Sequence, residues 1–250
     1  MAPITFYDIA LAPPAEKTSC SPNPWKTRYA LNFKKTPYKT TWVPLGEISS
    51  VRAALNIPAS RTFADGSPYQ TLPVISDPAT GRIVGDSFEN AVYLQEQYPS
   101  SGAGDLFPAQ ELGYEFERDL DLHAPIAEAK VADGPLKAYL KFNTNVDAAF
   151  TAYTQLVLEG FPFDPDTAEE DKAMMSGRIG VPWEALRISE EKRAELFKAF
   201  EETLGGVLRG GWLRMYKGML SAEEFKTLKG WHNGVFGKLH EALEVFAQMD

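Results

Sequence analysis

The chain has 250 residues, of which 44% are hydrophobic and 12% aromatic, and this composition excludes an intrinsically disordered protein. Its 25 basic and 34 acidic side chains give a formal net charge of −9, which argues against a nucleic-acid-binding protein. The single cysteine, Cys20, excludes an internal disulfide and a zinc site built from several cysteines.

The charge is distributed unevenly along the chain. Residues 1–95 carry nine basic and seven acidic side chains (net +2), whereas residues 96–250 carry 16 basic and 27 acidic ones (net −11). The difference indicates two domains and would suit an anionic ligand near the first, with solvated acidic helices as the alternative explanation. The first residues lack the pattern of a secretory signal, and no stretch reaches the roughly 18 apolar residues of a membrane span. We therefore expect a cytoplasmic protein without membrane contact.

Residues 1–99 alternate between strand and helix patterns. The patterns predict strands over Ile4–Ala10, Tyr38–Val43, Leu72–Ser76 and Arg82–Gly85, and helices over Trp25–Lys35, Gly46–Leu55 and Ser87–Tyr98. Segments rich in proline, serine and glycine predict loops over Ala12–Asn23 and Asn56–Gln70. The order of these elements predicts a small α/β domain at residues 1–99.

The remainder of the chain follows a helical pattern. Residues 100–108 have the composition of a linker. Apolar residues then recur with helical spacing at Leu112, Phe116 and Leu120, and a later apolar stripe follows Ser189, a residue suited to begin a helix. Because no convincing strand appears, residues 109–250 are predicted to form an all-helical domain.

Ser21 lies between the first predicted strand and the first predicted helix. Backbone amides and the dipole at a helix N-terminus stabilise an anion such as a thiolate, and the Ser21 hydroxyl could donate a hydrogen bond to it. Capping of the helix by Ser21 or Asn23 is the structural alternative.

Two further features follow Ser21 in the chain. Pro73 at the start of a strand fits either an ordinary strand entrance or a cis peptide bond, and a cis bond would leave the Leu72 backbone free to pair with a peptide-like ligand. Asp86 and Ser87 begin the next helix, where they cap it or hold a carboxylate and an amine.

These segments carry a resemblance to a known family. SPNPWKTRYALNFK, LPVISD and VGDSFENAVYLQEQYP resemble glutathione transferases, and among them the fungal-specific class A group, itself similar to the bacterial β-etherase transferases. The resemblance covers essentially the whole chain, including WLRMYKGML and KGWHNGVFGKLHEALE. It implies a thioredoxin-like N-terminal domain and an all-α C-terminal domain, usually in a homodimer.

The resemblance also implies roles for individual residues. Ser21 would activate the glutathione thiol, the Leu72 backbone beside a cis Pro73 would pair with the cysteinyl unit, and Asp86 with Ser87 would bind the γ-glutamyl end. The glycyl carboxylate would meet Arg61 or Gln70. Residues nominated for substrate contact, with core packing as the alternative for the aromatic ones, are Asn23, Tyr114, Phe116, Trp212, Met215 and Tyr216.

The chain departs from the family's pattern at Gly205–Gly211. This bridge is shorter than the usual segment, and no Ser/Thr-x-x-Asp capping box precedes Trp212. Loss of a cap costs about 0.5–2 kcal/mol. We therefore expect a helical domain less stable than the N-terminal one, with Trp212 incompletely buried.

The resemblance implies that a glutathione thiolate, activated by Ser21, attacks small hydrophobic or aromatic electrophiles, with glutathione as co-substrate and no metal. Two alternatives stay open. Cys20 could form a mixed disulfide with glutathione, as in a thiol transferase, or the protein could carry aromatic compounds such as polyphenols without catalysis. Neither nucleic acid nor a membrane is expected as a partner.

Overall fold

The computed structural model describes residues 2–63, 65–116, 134–204 and 210–250. Its N-terminal part contains, in chain order, β1 (Ile4–Ala10), α1 (Ala15–Thr18), α2 (Pro22–Phe33), β2 (Tyr38–Pro44), α3 (Ile48–Ala54), β3 (Arg61–Thr62), β4 (Pro68–Tyr69), β5 (Val74–Asp77), β6 (Arg82–Val84) and α4 (Ser87–Gln97). Each strand and helix predicted for residues 1–99 is present, with ends shifted by up to three residues.

The four longer strands form one mixed sheet in the order β2-β1-β5-β6. Strand β1 is parallel to β2 and antiparallel to β5, with Tyr7 opposite Val74, and β5 is antiparallel to β6. Buried side chains of the sheet, including Phe6 and Ile75, pack with Leu31 of α2 and Leu94 of α4. This arrangement confirms the thioredoxin-like domain.

The described part of the C-terminal region is helical. Its helices are α5 (Lys137–Thr151), α6 (Ala168–Ile179), α7 (Glu190–Thr203), α8 (Gly210–Met219) and α9 (Ala222–Glu244), with single 3-10 turns at Thr154–Leu156, Leu158–Gly160 and Trp183–Leu186. The backbone of α9 leaves the helical conformation over 231–234. Ser189 caps α7 by accepting a hydrogen bond from the Lys192 amide, as its sequence position predicts.

The helix expected around Leu112 and Phe116 does not form within residues 109–116. The Phe116 amide donates to the Asn145 side chain (2.9 Å), and the Tyr114 hydroxyl donates to the Thr203 carbonyl (3.3 Å). Contacts with α5 and α7 thus hold this segment in place of its own helical hydrogen bonds. Leu120 and residues 205–209 of the short bridge lie outside the described residues.

The two domains share one hydrophobic core. Cys20 and Val74 of the N-terminal domain belong to the same buried cluster as Phe150 and Trp212 of the helical domain. Trp212 is only 5% exposed, and its indole N–H donates to the Asp147 carboxylate (2.8 Å). The expectation that Trp212 would be incompletely buried is therefore wrong, because α8 packs directly against α2.

No helix in the described ranges has the combination of length and apolar composition needed to cross a bilayer.

Candidate functional site

Ser21 occupies the N-terminal cap position of α2 and is half-buried. Its side chain makes no capping hydrogen bond, although its carbonyl accepts from the Trp25 amide (3.2 Å). Pro22 and Pro24 fill two positions of the first turn and carry no N–H, so Asn23 has the one N–H among the first three helical residues. The helix does not use the Ser21 hydroxyl, and few amides compete with it for an anion.

Cys20 precedes Ser21 but points into the core. It is 2% exposed, and burial, reinforced by the Asp8 carboxylate, raises the pKa of its thiol to about 12. The Cα of Gly218 packs so closely that a Cβ there would lie 3.1 Å from the Cys20 Cβ. At neutral pH this thiol is therefore protonated and enclosed.

The Leu72–Pro73 peptide bond is cis, as the family resemblance implies. Strand β5 begins directly after it at Val74, which pairs with Tyr7 of β1. The side chain of Leu72 is buried, and its carbonyl accepts a hydrogen bond from the Thr71 hydroxyl (3.2 Å). The cis bond thus stands beside the strand that leads into the Ser21 loop.

Asp86 and Ser87 begin α4 and approach the start of α2. Asp86 Oδ1 caps α4 by accepting hydrogen bonds from the amides of Phe88 (2.7 Å) and Glu89 (3.3 Å). Ser87 is 7% exposed, and its hydroxyl donates to Asn23 Oδ1 at 3.5 Å. This contact brings the first turns of α2 and α4 together, so the Ser21 segment and the Asp86–Ser87 pair lie on neighbouring helix ends.

Arg52 of α3 is a residue of this region that the sequence did not indicate. It is fully buried, and Nη1 donates to the carbonyls of Thr71 (2.7 Å) and Gly85 (3.2 Å). Nη2 donates to the carbonyl of Pro58. Burial lowers the pKa of Arg52, while the charge of Asp86 acts in the opposite direction. Arg52 therefore ties the residue before Leu72 to the residue before Asp86.

The two candidates for the glycyl carboxylate lie around the β3–β4 hairpin. Arg61 of β3 is paired with Tyr69 of β4, and Gln70 follows directly; both candidates are half-buried. The Oε1 atom of Gln70 is buried without a hydrogen-bond partner among the described residues. Arg178 of α6 stacks over the Tyr69 ring at 5.6 Å, so the hairpin faces the helical domain.

The residues nominated for substrate contact fall into two groups. Tyr216 is fully buried and its hydroxyl donates to the Phe150 carbonyl (3.1 Å), while Trp212 stacks on the Phe150 ring at 5.5 Å. The burial of Trp212 and Tyr216 favours core packing, the alternative stated for the aromatic nominees, over the substrate contact predicted for them. Half-buried positions are held by the remaining nominees, namely Asn23, Tyr114, Phe116 and Met215.

A cleft of about 540 Å³ lies between α6 and the 3-10 turn that begins at Trp183. Lys172, Ser176 and Glu184 contribute polar groups to its wall. None of the predicted site residues lines it. Among the described residues, no cluster of three or more His, Cys, Asp or Glu side chains is arranged to hold a metal ion.

Comparisons with known proteins identify the N-terminal domain. Residues 20–97 match the glutathione S-transferase N-terminal domain family. The glutathione S-transferase-like protein ustS of Aspergillus flavus is 30% identical over 118 residues, which cover 45% of this chain and 41% of that protein. The match thus spans about two-fifths of the length of this curated relative.

Solved structures extend the likeness to the whole chain. The glutathione S-transferase CsGST63524 of Ceriporiopsis subvermispora, solved in complex with glutathione, is 26% identical, with a TM-score of 0.73 and coverage of 100% of this chain and 99% of that one. The glutathione transferase GSTFuA3 of Phanerochaete chrysosporium has the same fold, at 23% identity and a TM-score of 0.71, over 100% of this chain and 99% of that one.

Proposed function

We propose that the chain is a glutathione transferase that conjugates glutathione to small hydrophobic or aromatic electrophiles; the match of residues 20–97 to the glutathione S-transferase N-terminal domain, the likeness of the whole chain to solved glutathione transferases and the geometry around Ser21 support this. The observation that carries the proposal is the approach of three segments: the Ser21 loop, the cis Leu72–Pro73 bond and the Asp86–Ser87 helix start. The Asn23–Ser87 contact and the shared Arg52 anchor hold these segments in one region.

Each segment would bind one part of glutathione. The Leu72 backbone pairs with the cysteinyl backbone, as the family resemblance implies, and Asp86 with Ser87 binds the γ-glutamyl end through a carboxylate, a hydroxyl and a helix N-terminus. Arg61 or Gln70 receives the glycyl carboxylate. In this binding mode the cysteinyl thiol of the ligand lies near Ser21.

Ser21 acts on the acidity of that thiol. A thiol with a pKa of about 8.5 is only about 3% ionised at pH 7, and lowering its pKa by about two units makes roughly three-quarters of it thiolate. Such a shift corresponds to about 2.7 kcal/mol of differential stabilisation. Because Pro22 and Pro24 remove amide donors from the first turn, the Ser21 hydroxyl supplies most of the hydrogen bonding to the thiolate.

The thiolate then attacks an electrophilic carbon held by half-buried aromatic and apolar residues such as Tyr114, Phe116 and Met215. The new carbon–sulfur bond forms as the electrophile's leaving group departs or as its multiple bond takes up the electron pair. The same side chains would accept polyphenolic ligands. We propose a cytoplasmic homodimer that detoxifies such compounds.

The Cys20 route has less support than the Ser21 route. A mixed disulfide with glutathione needs an accessible thiolate, whereas the Cys20 thiol is 2% exposed and has a pKa of about 12. Carriage of aromatic compounds without catalysis shares the binding residues of the proposed enzyme and is separated from it by the kinetic test below.

The test compares Ser21→Ala with Cys20→Ala in conjugation of an isothiocyanate and a haloarene, and in reduction of a mixed disulfide. We expect Ser21→Ala to lower kcat/KM for conjugation at pH 7 by up to about 25-fold, because loss of about two pKa units of stabilisation reduces the thiolate fraction from roughly three-quarters to about 3%. Cys20→Ala should change it less than about twofold. Loss of turnover in Cys20→Ala alone would favour the thiol transferase, and no turnover in the unmodified protein would favour the carrier.

A further inference from the structure

A buried ion pair lies beneath the Ser21 loop and has no part in the proposed chemistry. Asp8 of β1 and Arg28 of α2 are both fully buried, and Arg28 Nη2 lies 2.8 Å from Asp8 Oδ2. The other carboxylate oxygen, Oδ1, accepts a hydrogen bond from the Ile9 amide (2.7 Å). Replacing a buried pair of this kind with apolar residues is often neutral or stabilising, so stability alone does not account for it.

The pair reaches the loop through Ser19. The Ser19 hydroxyl donates to the same Oδ2 atom of Asp8 (3.3 Å), and the Ser19 carbonyl accepts from the indole N–H of Trp25 (2.8 Å). Ser19 is therefore held on both sides, two residues before Ser21. Ser21 itself has no capping bond to fix its side chain, so the backbone that leads into it determines where its hydroxyl points.

Arg28 is in turn held firmly in place. Its Nη1 atom contacts the hydroxyls of Tyr38 (3.2 Å) and Thr40 (3.1 Å), and its guanidinium lies 4.9 Å from the centre of the Phe6 ring. The carboxylate of Asp250 approaches Nη1 at 3.6 Å. Because these partners come from β1, β2 and the end of the chain, the Arg28 guanidinium is fixed in position, and its contact with Asp8 fixes the Asp8 carboxylate in turn.

We infer that Asp8 and Arg28 are positioning residues that act through Ser19 to aim the Ser21 hydroxyl at the glutathione thiol. The inference rests on the proposed role of Ser21. A hydroxyl displaced by about 1 Å loses its hydrogen bond to the sulfur, and misplacements of that size reduce rates by up to about 100-fold. Binding of glutathione through Leu72, Asp86 and Ser87 does not depend on this alignment.

Ser19→Ala tests the inference because it removes one hydroxyl from a half-buried site and leaves the Asp8–Arg28 pair intact. We expect kcat to fall by about tenfold while KM for glutathione stays within about twofold. Ser19→Thr, which keeps the hydroxyl, should restore kcat. Thr18→Val is the matched control, since the Thr18 hydroxyl lies in the same loop but donates to the Ala12 carbonyl (2.5 Å).

The results separate this inference from the proposed function. If Ser21→Ala loses activity while Ser19→Ala keeps the kcat of the unmodified protein, the inference is overturned and the proposed function stands. Equal losses in Ser19→Ala and Thr18→Val also overturn it, because they indicate a general loosening of the loop. If Ser21→Ala keeps full activity, both fail. Melting temperatures of all variants show whether each is folded at the assay temperature.

Discussion

Ser21 and Cys20 are neighbours in sequence, yet the fold gives them opposite environments. Ser21 is half-buried at the N-terminal cap of α2, and its hydroxyl makes no capping hydrogen bond, whereas Cys20 is buried between the N-terminal domain and α8. From the sequence, both residues lie next to a helix N-terminus, so either Ser21 could activate the glutathione thiol or Cys20 could form a mixed disulfide with it. Burial, which depends on residues such as Gly218 that are distant in sequence, separates the two.

The burial of Cys20 has a consequence for stability at high pH. Its pKa is raised from an ordinary 9.0 to about 12, so between those values the folded chain keeps a proton that the unfolded chain releases. The contribution of the protonated Cys20 thiol to the free energy of unfolding is therefore complete below pH 9 and is lost as the pH rises toward 12.

We expect the free energy of unfolding to fall over this range, and Cys20→Ala to make that fall shallower, as measured by urea denaturation at several pH values. Part of the slope remains in the variant, because burial also raises the pKa of Tyr29 to about 12. A thiol reagent should modify Cys20 only after unfolding. Rapid modification of the folded protein, or an unchanged slope in Cys20→Ala, would contradict the assigned environment.

Asp86 combines a structural and a binding role that two substitutions can separate. Asparagine at this position keeps an oxygen that caps α4 but loses the charge that would meet the amine of the γ-glutamyl unit. We expect Asp86→Asn to raise the Kd for glutathione by about tenfold or more, with stability nearly unchanged.

Asp86→Ala is the companion variant, and it should weaken binding similarly and cost a further 0.5–2 kcal/mol, about the value of an N-terminal cap. Calorimetry with glutathione and chemical denaturation measure the two effects. Unchanged affinity in Asp86→Asn would remove this residue from the binding site.

At the scale of elements, periodicity and turn chemistry predicted most of the N-terminal domain. The strands β1 and β2 and the helices α2 and α4 were identified because each is long enough to show its own pattern. The β3–β4 hairpin lies within a segment predicted as a loop, because strands of two residues are too short to show an alternating pattern.

Arg52 could not be found for a related reason. Its partners are the carbonyls of Pro58, Thr71 and Gly85, and because every residue has a backbone carbonyl, these contacts cannot be predicted from residue types. Gly85 provides an indirect signal: a Cβ there would lie 2.6 Å from Ile57 Cδ1 and 3.0 Å from Arg52 Nη2, so a larger residue would displace the ends of these two side chains.

Arg52→Met tests the element-level role of this side chain. The substitution keeps an apolar stem but removes the donor from the carbonyls of Thr71 and Pro58, whereas the Gly85 carbonyl keeps the Ser60 hydroxyl as a partner. Each of the two hydrogen bonds lost costs about 1–2 kcal/mol. We expect a total loss of about 2–4 kcal/mol in the free energy of unfolding, together with weaker glutathione binding.

Arg82→Met is the control, because Arg82 is exposed on β6 and stacks on Tyr93. That contact contributes about 1 kcal/mol or less. Similar losses in the two variants would show that the carbonyl contacts of Arg52 contribute little.

At the scale of the whole molecule, two domains recognised in sequence by composition and charge behave as one packed body. The sequence predicts a linker at residues 100–108 but not the shared core, because the buried residues that the two domains contribute to that core belong to separate sequence patterns.

The last residues of the chain form a second connection with the N-terminal domain. Asn32 of α2 donates to the carbonyls of Phe246 (2.7 Å) and Gln248 (3.0 Å), and the Thr40 amide on the edge strand β2 donates to Asp250 (2.5 Å). These contacts cover an otherwise open sheet edge.

Asp147 of α5 is the polar centre of the interface between the domains. Its Oδ1 atom accepts from Lys26 Nζ of α2 (2.5 Å) and from the Trp212 indole of α8 (2.8 Å). Because the carboxylate is linked to both domains and the core is continuous, we expect a single cooperative unfolding transition, contrary to the weaker helical domain anticipated from the short bridge.

Asp147→Ala should lower the free energy of unfolding by about 1–3 kcal/mol and shift the transition of both domains together. Glu115→Ala is the matched control, since Glu115 pairs with Lys141 on the exposed surface, where solvent screening leaves little stabilisation to lose.

Hydrogen exchange followed by mass spectrometry on peptides covering β1 and α8 measures the coupling between the domains directly. Equal protection in the two segments, reduced in parallel by Asp147→Ala, is the expected result, because opening either segment exposes the same buried cluster around Phe150. Exchange that is much faster in α8 than in β1, or a variant that loosens α8 alone, would mean that the helical domain unfolds independently and that the shared core is too weak to join the two.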